Sequence, residues 1–90
     1  MTVDIKTAVR AALDFIREMY EGDEDLATLA LEEVEQSDDR AQWIVTVGLG
    51  GEARASTMSV VAGKGTPRQY KRLVVDADTG QVVSMKARTR

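Results

Sequence analysis

The stretch that decides the fold is Tyr70-Lys71-Arg72-Leu73-Val74-Val75-Asp76-Ala77-Asp78-Thr79-Gly80-Gln81-Val82-Val83-Ser84-Met85-Lys86. Two runs rich in β-branched and apolar residues flank a polar centre that ends in glycine. That is the pattern of a β-hairpin. A three-residue turn, Asp78-Thr79-Gly80, with Gly80 in the left-handed conformation, sets Ala77 against Gln81, Val75 against Val83 and Leu73 against Met85. Those side chains then share one face. The other face carries Tyr70, Arg72, Val74, Asp76, Val82, Ser84, Lys86 and Arg88. A register one residue shorter opposes Leu73 to Ser84 and Arg72 to Met85, and so mixes the faces; the three-residue turn is preferred.

The apolar hairpin face needs a cover, and residues 4–20 supply one. Ile5, Ala8, Val9, Ala12, Leu13, Ile16, Met19 and Tyr20 recur at three- and four-residue steps, with Lys6, Arg10, Asp14, Arg17, Glu18 and Glu21 between them. This is an amphipathic helix. Asp4 or Thr2 caps its start; Gly22 and the run Asp23-Glu24-Asp25 end it. Phe15 sits beside the stripe. The spacing predicts that Ile5, Val9, Leu13 and Ile16 pack onto Leu73, Val75, Val83 and Met85. Residues 26–36 are ambiguous, since leucine, alanine and glutamate favour helix. The turn-like Ser37-Asp38-Asp39-Arg40 and the alternation of Trp43, Val45, Val47 and Leu49 with Ile44, Thr46 and Gly48 predict instead a hairpin of strands 29–36 and 41–49. From 48 to 67 the chain turns to small residues with Gly48, Gly50, Gly51, Gly63, Gly65 and Pro67, which reads as a glycine-rich loop, with a short ordered piece at Met58–Ala62. The expected fold is α+β: one N-terminal helix packed across a four-stranded antiparallel sheet, in the order helix, hairpin, loop, hairpin.

Ninety residues make one domain, 1–90, with one modest core. The chain has no cysteine and no histidine. Disulfides, thiolate metal sites and cysteine nucleophiles are excluded, and the commonest general base and metal ligand are missing. Net charge is −3, unevenly spread: residues 1–45 hold twelve acids and four bases, residues 46–90 three acids and eight bases. Such asymmetry means either a charged binding surface or two halves that attract each other within the fold. No apolar run approaches the roughly 18–20 residues of a membrane span. The opening Met1-Thr2-Val3-Asp4-Ile5-Lys6 has no signal-peptide pattern, so a cytoplasmic location is expected.

Several short motifs suggest chemistry that their surroundings do not support. Gly63-Lys64-Gly65-Thr66 looks like part of a phosphate-binding loop, but the required first glycine is Met58, the residue after Lys64 is Gly65, and a proline and strand follow. Asp76-Ala77-Asp78-Thr79-Gly80 opens like a calcium loop, yet the positions for its glycine and glutamate hold Gln81 and Ala87. Asp78-Thr79-Gly80 also spells the aspartic-protease triplet, present once and at a hairpin tip, whereas two such aspartates must share a proton. Glu32, Glu33 and Glu35 offer carboxylates for hydrolysis, but Glu33 and Glu35 on one strand face are ordinarily a solvated surface. No catalytic residue, metal site or cofactor site is assigned.

The unusual feature is the outer hairpin face. Arg72 opposes Lys86 and Tyr70 opposes Arg88, with Arg68, Lys71 and Arg90 nearby. Opposed like charges are destabilising, so something acidic must compensate. An adjacent strand bearing Glu32, Glu33 or Glu35 is one answer, and an acidic partner protein is another. Nucleic acid is disfavoured by the negative total charge and by Tyr70 being the one aromatic residue there. Tyr70, Arg72, Lys86 and Arg88 are therefore the candidate partner-binding residues.

The closing hairpin, Val74-Val75-Asp76-Ala77-Asp78-Thr79-Gly80-Gln81-Val82-Val83, resembles the V-D-A-x-T-G-E-V ending of PepSY domains, with Gln81 where glutamate is frequent. The helix and the segments Leu31–Glu35 and Trp43–Val47 also fit the PepSY and cystatin-like pattern of small α+β domains. The resemblance implies one helix across a curved antiparallel sheet. It also implies a non-enzymatic protein-binding module, a regulator or inhibitor of a partner such as a peptidase. A structural homodimer or small subunit of a larger assembly is the alternative, and an enzyme is disfavoured. Neither a nucleic-acid nor a membrane partner is expected.

Overall fold

Helix α1 spans Ile5–Met19. A 3-10 helix follows at Glu24–Thr28, then strands β1 (Ala30–Gln36), β2 (Gln42–Leu49), β3 (Gln69–Asp76) and β4 (Val82–Ala87). The strands form one antiparallel sheet in the order β1-β2-β3-β4, and α1 lies across one face. The structure is a computed structural model and describes residues 2–50 and 68–87. The predicted loop from residue 51 to 67, with its ordered piece, and Arg88 and Arg90 lie outside the described residues. Gly48 and Leu49 belong to β2, as the strand expected at 41–49 requires, and not to the glycine-rich loop that the sequence also begins at 48. No helix among the described residues is long and apolar enough to cross a membrane.

The helix starts where Asp4, in extended backbone, accepts a hydrogen bond from the Thr7 amide at 2.8 Å through Oδ1. An aspartate at this position satisfies one of the free amides of the first turn. The helix stops as Gly22 takes φ +84° and the Asp23 amide bonds the Tyr20 carbonyl at 2.8 Å. Asp23 then caps the 3-10 helix through the Asp25 amide, 2.8 Å away. The sequence reading does not foresee this 3-10 turn.

The phase of the helix differs from the predicted one. Its buried residues are Ala8, Ala12 and Ile16, packed with Val45, Val47, Leu49, Leu73 and Val75. Ile5 is 44% exposed, and Val9 and Leu13 are half-buried on one flank. The apolar stripe is broad, and its middle is formed by alanines. Two alanines four residues apart let the helix approach the sheet closely, while larger side chains fit at the flanks.

The β3–β4 hairpin corrects the predicted turn. Asp76 Oδ1 accepts from the amides of Asp78 at 2.7 Å and Thr79 at 3.1 Å. The Gly80 amide bonds the Asp76 carbonyl at 2.8 Å, and the Asp76 amide bonds the Gln81 carbonyl at 2.8 Å. The loop is thus the four residues Ala77 to Gly80, with Gly80 at φ +76° as expected. Gln81 closes on Asp76 instead of Ala77, and Val75 pairs with Val82 instead of Val83. A bulge restores the register, so that Leu73 faces Met85 and Arg72 faces Lys86. Without the bulge Met85 would turn away from the core. Its consequence is that Val82 packs on the core while Val83 is 55% exposed.

The β1–β2 hairpin turns at Ser37-Asp38-Asp39-Arg40, with Arg40 at φ +60°. Asp39 Oδ1 accepts from Ser37 Oγ at 2.6 Å and from the Ala41 amide at 2.9 Å. The chain start is tied in as well: the Val3 amide bonds the Ala77 carbonyl at 2.6 Å, and the Trp43 indole donates to the Val3 carbonyl at 3.1 Å.

Two predictions test this packing. Ile16→Ala should cost about 2–5 kcal/mol, as for large-to-small changes in cores. Leu13→Ala should cost clearly less in the same denaturant titration, because Leu13 is half-buried; equal losses would contradict the observed helix phase. The second concerns acid. The Asp4 carboxyl is held below its ordinary value of 3.8, first by the Thr7 amide. Asp39 is lowered likewise, first by the Ser37 hydroxyl and then by the Ala41 amide. Groups with a depressed folded pKa stabilise the fold at higher pH, and the contribution fades as pH falls through the carboxylate range and below. The Asp4→Asn/Asp39→Asn variant should therefore lose less melting temperature than wild type between about pH 6 and pH 3. Parallel acid curves for the two proteins would contradict it.

Candidate functional site

The sheet face away from α1 carries the predicted site. Side chains at paired positions share a face, and the register gives two central rows. Glu33, Thr46, Arg72 and Lys86 form one, running from β1 to β4; Glu35, Ile44, Val74 and Ser84 form the other. Tyr70 stands on the same face opposite Gly48 and is half-buried. Val82, predicted for this face, is on the other side because of the bulge.

Arg72 and Lys86 are both exposed and directly opposed. Neither forms an ion pair among the described residues, where the pairs are Arg17–Asp14 and Arg68–Glu32. β2 lies between the acids of β1 and the bases of β3 and contributes uncharged Ile44, Thr46 and Gly48. Glu33 and Arg72 are thereby two strands apart, about 10 Å at the backbone. Thr46, in the middle of the row, is 1% exposed, and its Oγ1 has no hydrogen-bond partner.

Among the described residues an internal charge pair between the two halves uses Arg68, whose role the sequence reading misses. Its side chain is only 13% exposed, and Nη2 lies 3.3 Å from Glu32 Oε2. Nη2 also donates to the carbonyls of Thr28 at 2.9 Å and Gly48 at 3.1 Å, and Nη1 donates to Gly50 O at 3.3 Å. One guanidinium thus ties the 3-10 helix, the β1 bulge at Glu32 and the end of β2 to the start of β3. A Cβ on Gly48 would lie 2.7 Å from Arg68 Nε, so the glycine makes room for the clasp. Glycine within a strand often marks such a close approach, and that was the available signal.

A second surface feature lies on the helix side. Between α1 and β1 runs an open groove of about 520 Å³, floored by Ile5, Val9, Leu13, Leu31 and Val34. Lys6, Arg10 and Arg17 line its helical edge.

The three β1 glutamates do not act together: Glu32 is held by Arg68, while Glu33 and Glu35 face the open side. Among the described residues no group of three or more acids is placed to hold a metal ion. No protein-family model, curated protein or solved structure matches the chain.

The unpartnered Thr46 hydroxyl gives a direct test of this face. Burying a hydroxyl without a partner costs stability, whereas an apolar group of the same shape avoids the penalty. Thr46→Val should raise stability by about 1 kcal/mol in a denaturant titration; a loss of that size would mean the hydroxyl is satisfied.

Proposed function

We propose that this chain is a non-enzymatic protein-binding module and that the open sheet face, through Arg72 and Lys86, contacts an acidic surface of a partner protein. The observation that carries the reading is the opposition of two exposed cations that have no ion pair among the described residues. Opposed like charges cost the fold stability, and an acidic partner surface would turn that cost into attraction. Glu32 is engaged by Arg68, which removes one of the three internal acids that could have offset the strip. Tyr70, on the same face, would add a partly apolar contact of the kind enriched at interfaces. Arg88 is proposed to extend the strip, and its place lies outside the described residues. The PepSY-like and cystatin-like resemblance of the closing hairpin supports a regulator or inhibitor of a peptidase as the form this binding takes. A cytoplasmic location goes with the same proposal.

The alternative, a homodimer or assembly subunit, draws on β4, an edge strand whose Val83 is 55% exposed. Exposed edges invite pairing with another chain. Sedimentation at micromolar concentration separates the two readings, because the module is a monomer in isolation and the subunit is not.

The test of the module is a charge reversal. Immobilised wild-type protein should retain acidic proteins from a lysate of its own cells and release them as salt rises, since charges in water are screened beyond about 10 Å at 0.1 M ionic strength. Arg72→Glu/Lys86→Glu should lose those proteins while its melting temperature stays nearly unchanged. Retention of the same proteins by the variant, or a large drop in melting temperature, would assign the strip to the fold instead.

A further inference from the structure

We infer that the groove between α1 and β1 is a docking site for an acidic amphipathic helix of a partner protein. This site is separate from the open sheet face and rests on different residues.

The floor of the groove is apolar and incompletely covered. Ile5 is 44% and Leu31 43% exposed, with Val9, Leu13 and Val34 half-buried between them. These side chains stand on two elements that flank a channel, which makes them one continuous apolar surface and not scattered exposures. Helix residues 5–17 give the channel a length of about 18 Å, or three to four helical turns. That suits the anchors of an amphipathic helix laid in a groove, spaced three and four residues apart.

The rim supplies the charge of the occupant. Lys6 and Arg10 are four residues apart on α1, a spacing at which like charges repel. They also lie in the half of the helix where cations oppose the macrodipole, and the first turn holds no acid. Neither forms an ion pair among the described residues; of the three rim cations, Arg17 alone has a partner, Asp14 at 3.1 Å. The Asp4 carboxylate at the helix start feels both cations but forms an ion pair with neither, so acidic side chains flanking the apolar stripe of an incoming helix would meet a rim that is cationic on balance.

Other occupants fit less well. An added β-strand would pair with β1, whose ladder is interrupted by the bulge between Leu31 and Glu33 and whose length carries three glutamates; bulges and charges are what guard an edge against pairing. A small ligand is ordinarily buried by 70–90% in a pocket of about this size, and a channel with walls so exposed would leave it in water. A second copy docking groove to groove would set Lys6 and Arg10 against the same residues. Residues 52–66 of this chain hold one acid and two bases, the wrong balance for the rim.

The test uses fluorescent synthetic helical peptides of about 16 residues, with leucines at three- and four-residue spacing and glutamates on the flanks. A matched set carries lysine in place of glutamate. The full chain should bind the glutamate peptides at least about tenfold more tightly than the lysine ones, with affinity falling as salt rises. Lys6→Glu/Arg10→Glu should reverse the preference without lowering the melting temperature. Leu31→Ser should weaken both sets, and Arg72→Glu/Lys86→Glu should change neither, so failure here and failure of the open-face reading are distinguishable. Equal binding of the two sets, or no binding of either at about 100 µM, would overturn the inference. Dimerisation abolished by Leu31→Ser would show a second copy as the occupant, and a fatty acid that binds in a Leu31-dependent way while the glutamate peptides do not bind would show a lipid ligand instead; either result overturns the proposal.

Discussion

One helix has to seal one face of a four-stranded sheet, and it is too narrow to do so. A helix with its side chains is about 10–12 Å across, whereas four strands at about 4.8 Å spacing present a wider surface. The helix settles over the middle, where Val45, Val47, Leu73 and Val75 are fully buried. Ala8 and Ala12 let it come close there. The margins are left half-covered. On the β1 side this produces the groove with exposed Ile5 and Leu31; on the other face none of the described residues forms a helix. The groove follows from this mismatch between the helix and the four strands.

The chain offsets part of the deficit with polar ties at the ends of the sheet. Arg68 joins the 3-10 helix, β1 and β2 through carbonyls and Glu32. At the opposite end the Val3 carbonyl and amide bind Trp43 and Ala77. Guanidinium groups suit such a role because several fixed N–H donors can meet several acceptors at once. These ties position the strands that carry Arg72 and Lys86 without engaging either residue.

Strand order and pairing were legible in the sequence because alternation has a period of two and tolerates little ambiguity. The opposition of Arg72 to Lys86 and of Leu73 to Met85 follows from it. The hairpin tip was not legible, because the Asp76 side chain caps two amides and makes a four-residue loop competitive with the three-residue one. A bulge then hides the difference further along the strands, and Val82 and Val83 exchange roles. The phase of the helix was misread because large side chains were taken as its centre, although alanines occupy the closest approach. Arg68 left only the trace of Gly48 in a strand, since its partners Thr28, Glu32, Gly48 and Gly50 are spread along the sequence and meet only in the fold.

Charge separates along the chain into an acidic first half and a basic second half, and among the described residues one ion pair joins the two. Arg68 and Glu32 draw the halves together, while the uncharged Ile44, Thr46 and Gly48 of β2 stand between the remaining β1 acids and the Arg72–Lys86 pair. On the proposed reading this pair burdens the fold and serves recognition. The most direct measurement is the melting temperature of Arg72→Gln/Lys86→Gln, which removes both charges and keeps polar side chains in place. The expected melting temperature is equal to or above that of the wild type, as relief of like-charge repulsion requires. A drop of several degrees would show that the two cations hold the sheet together, and would contradict it.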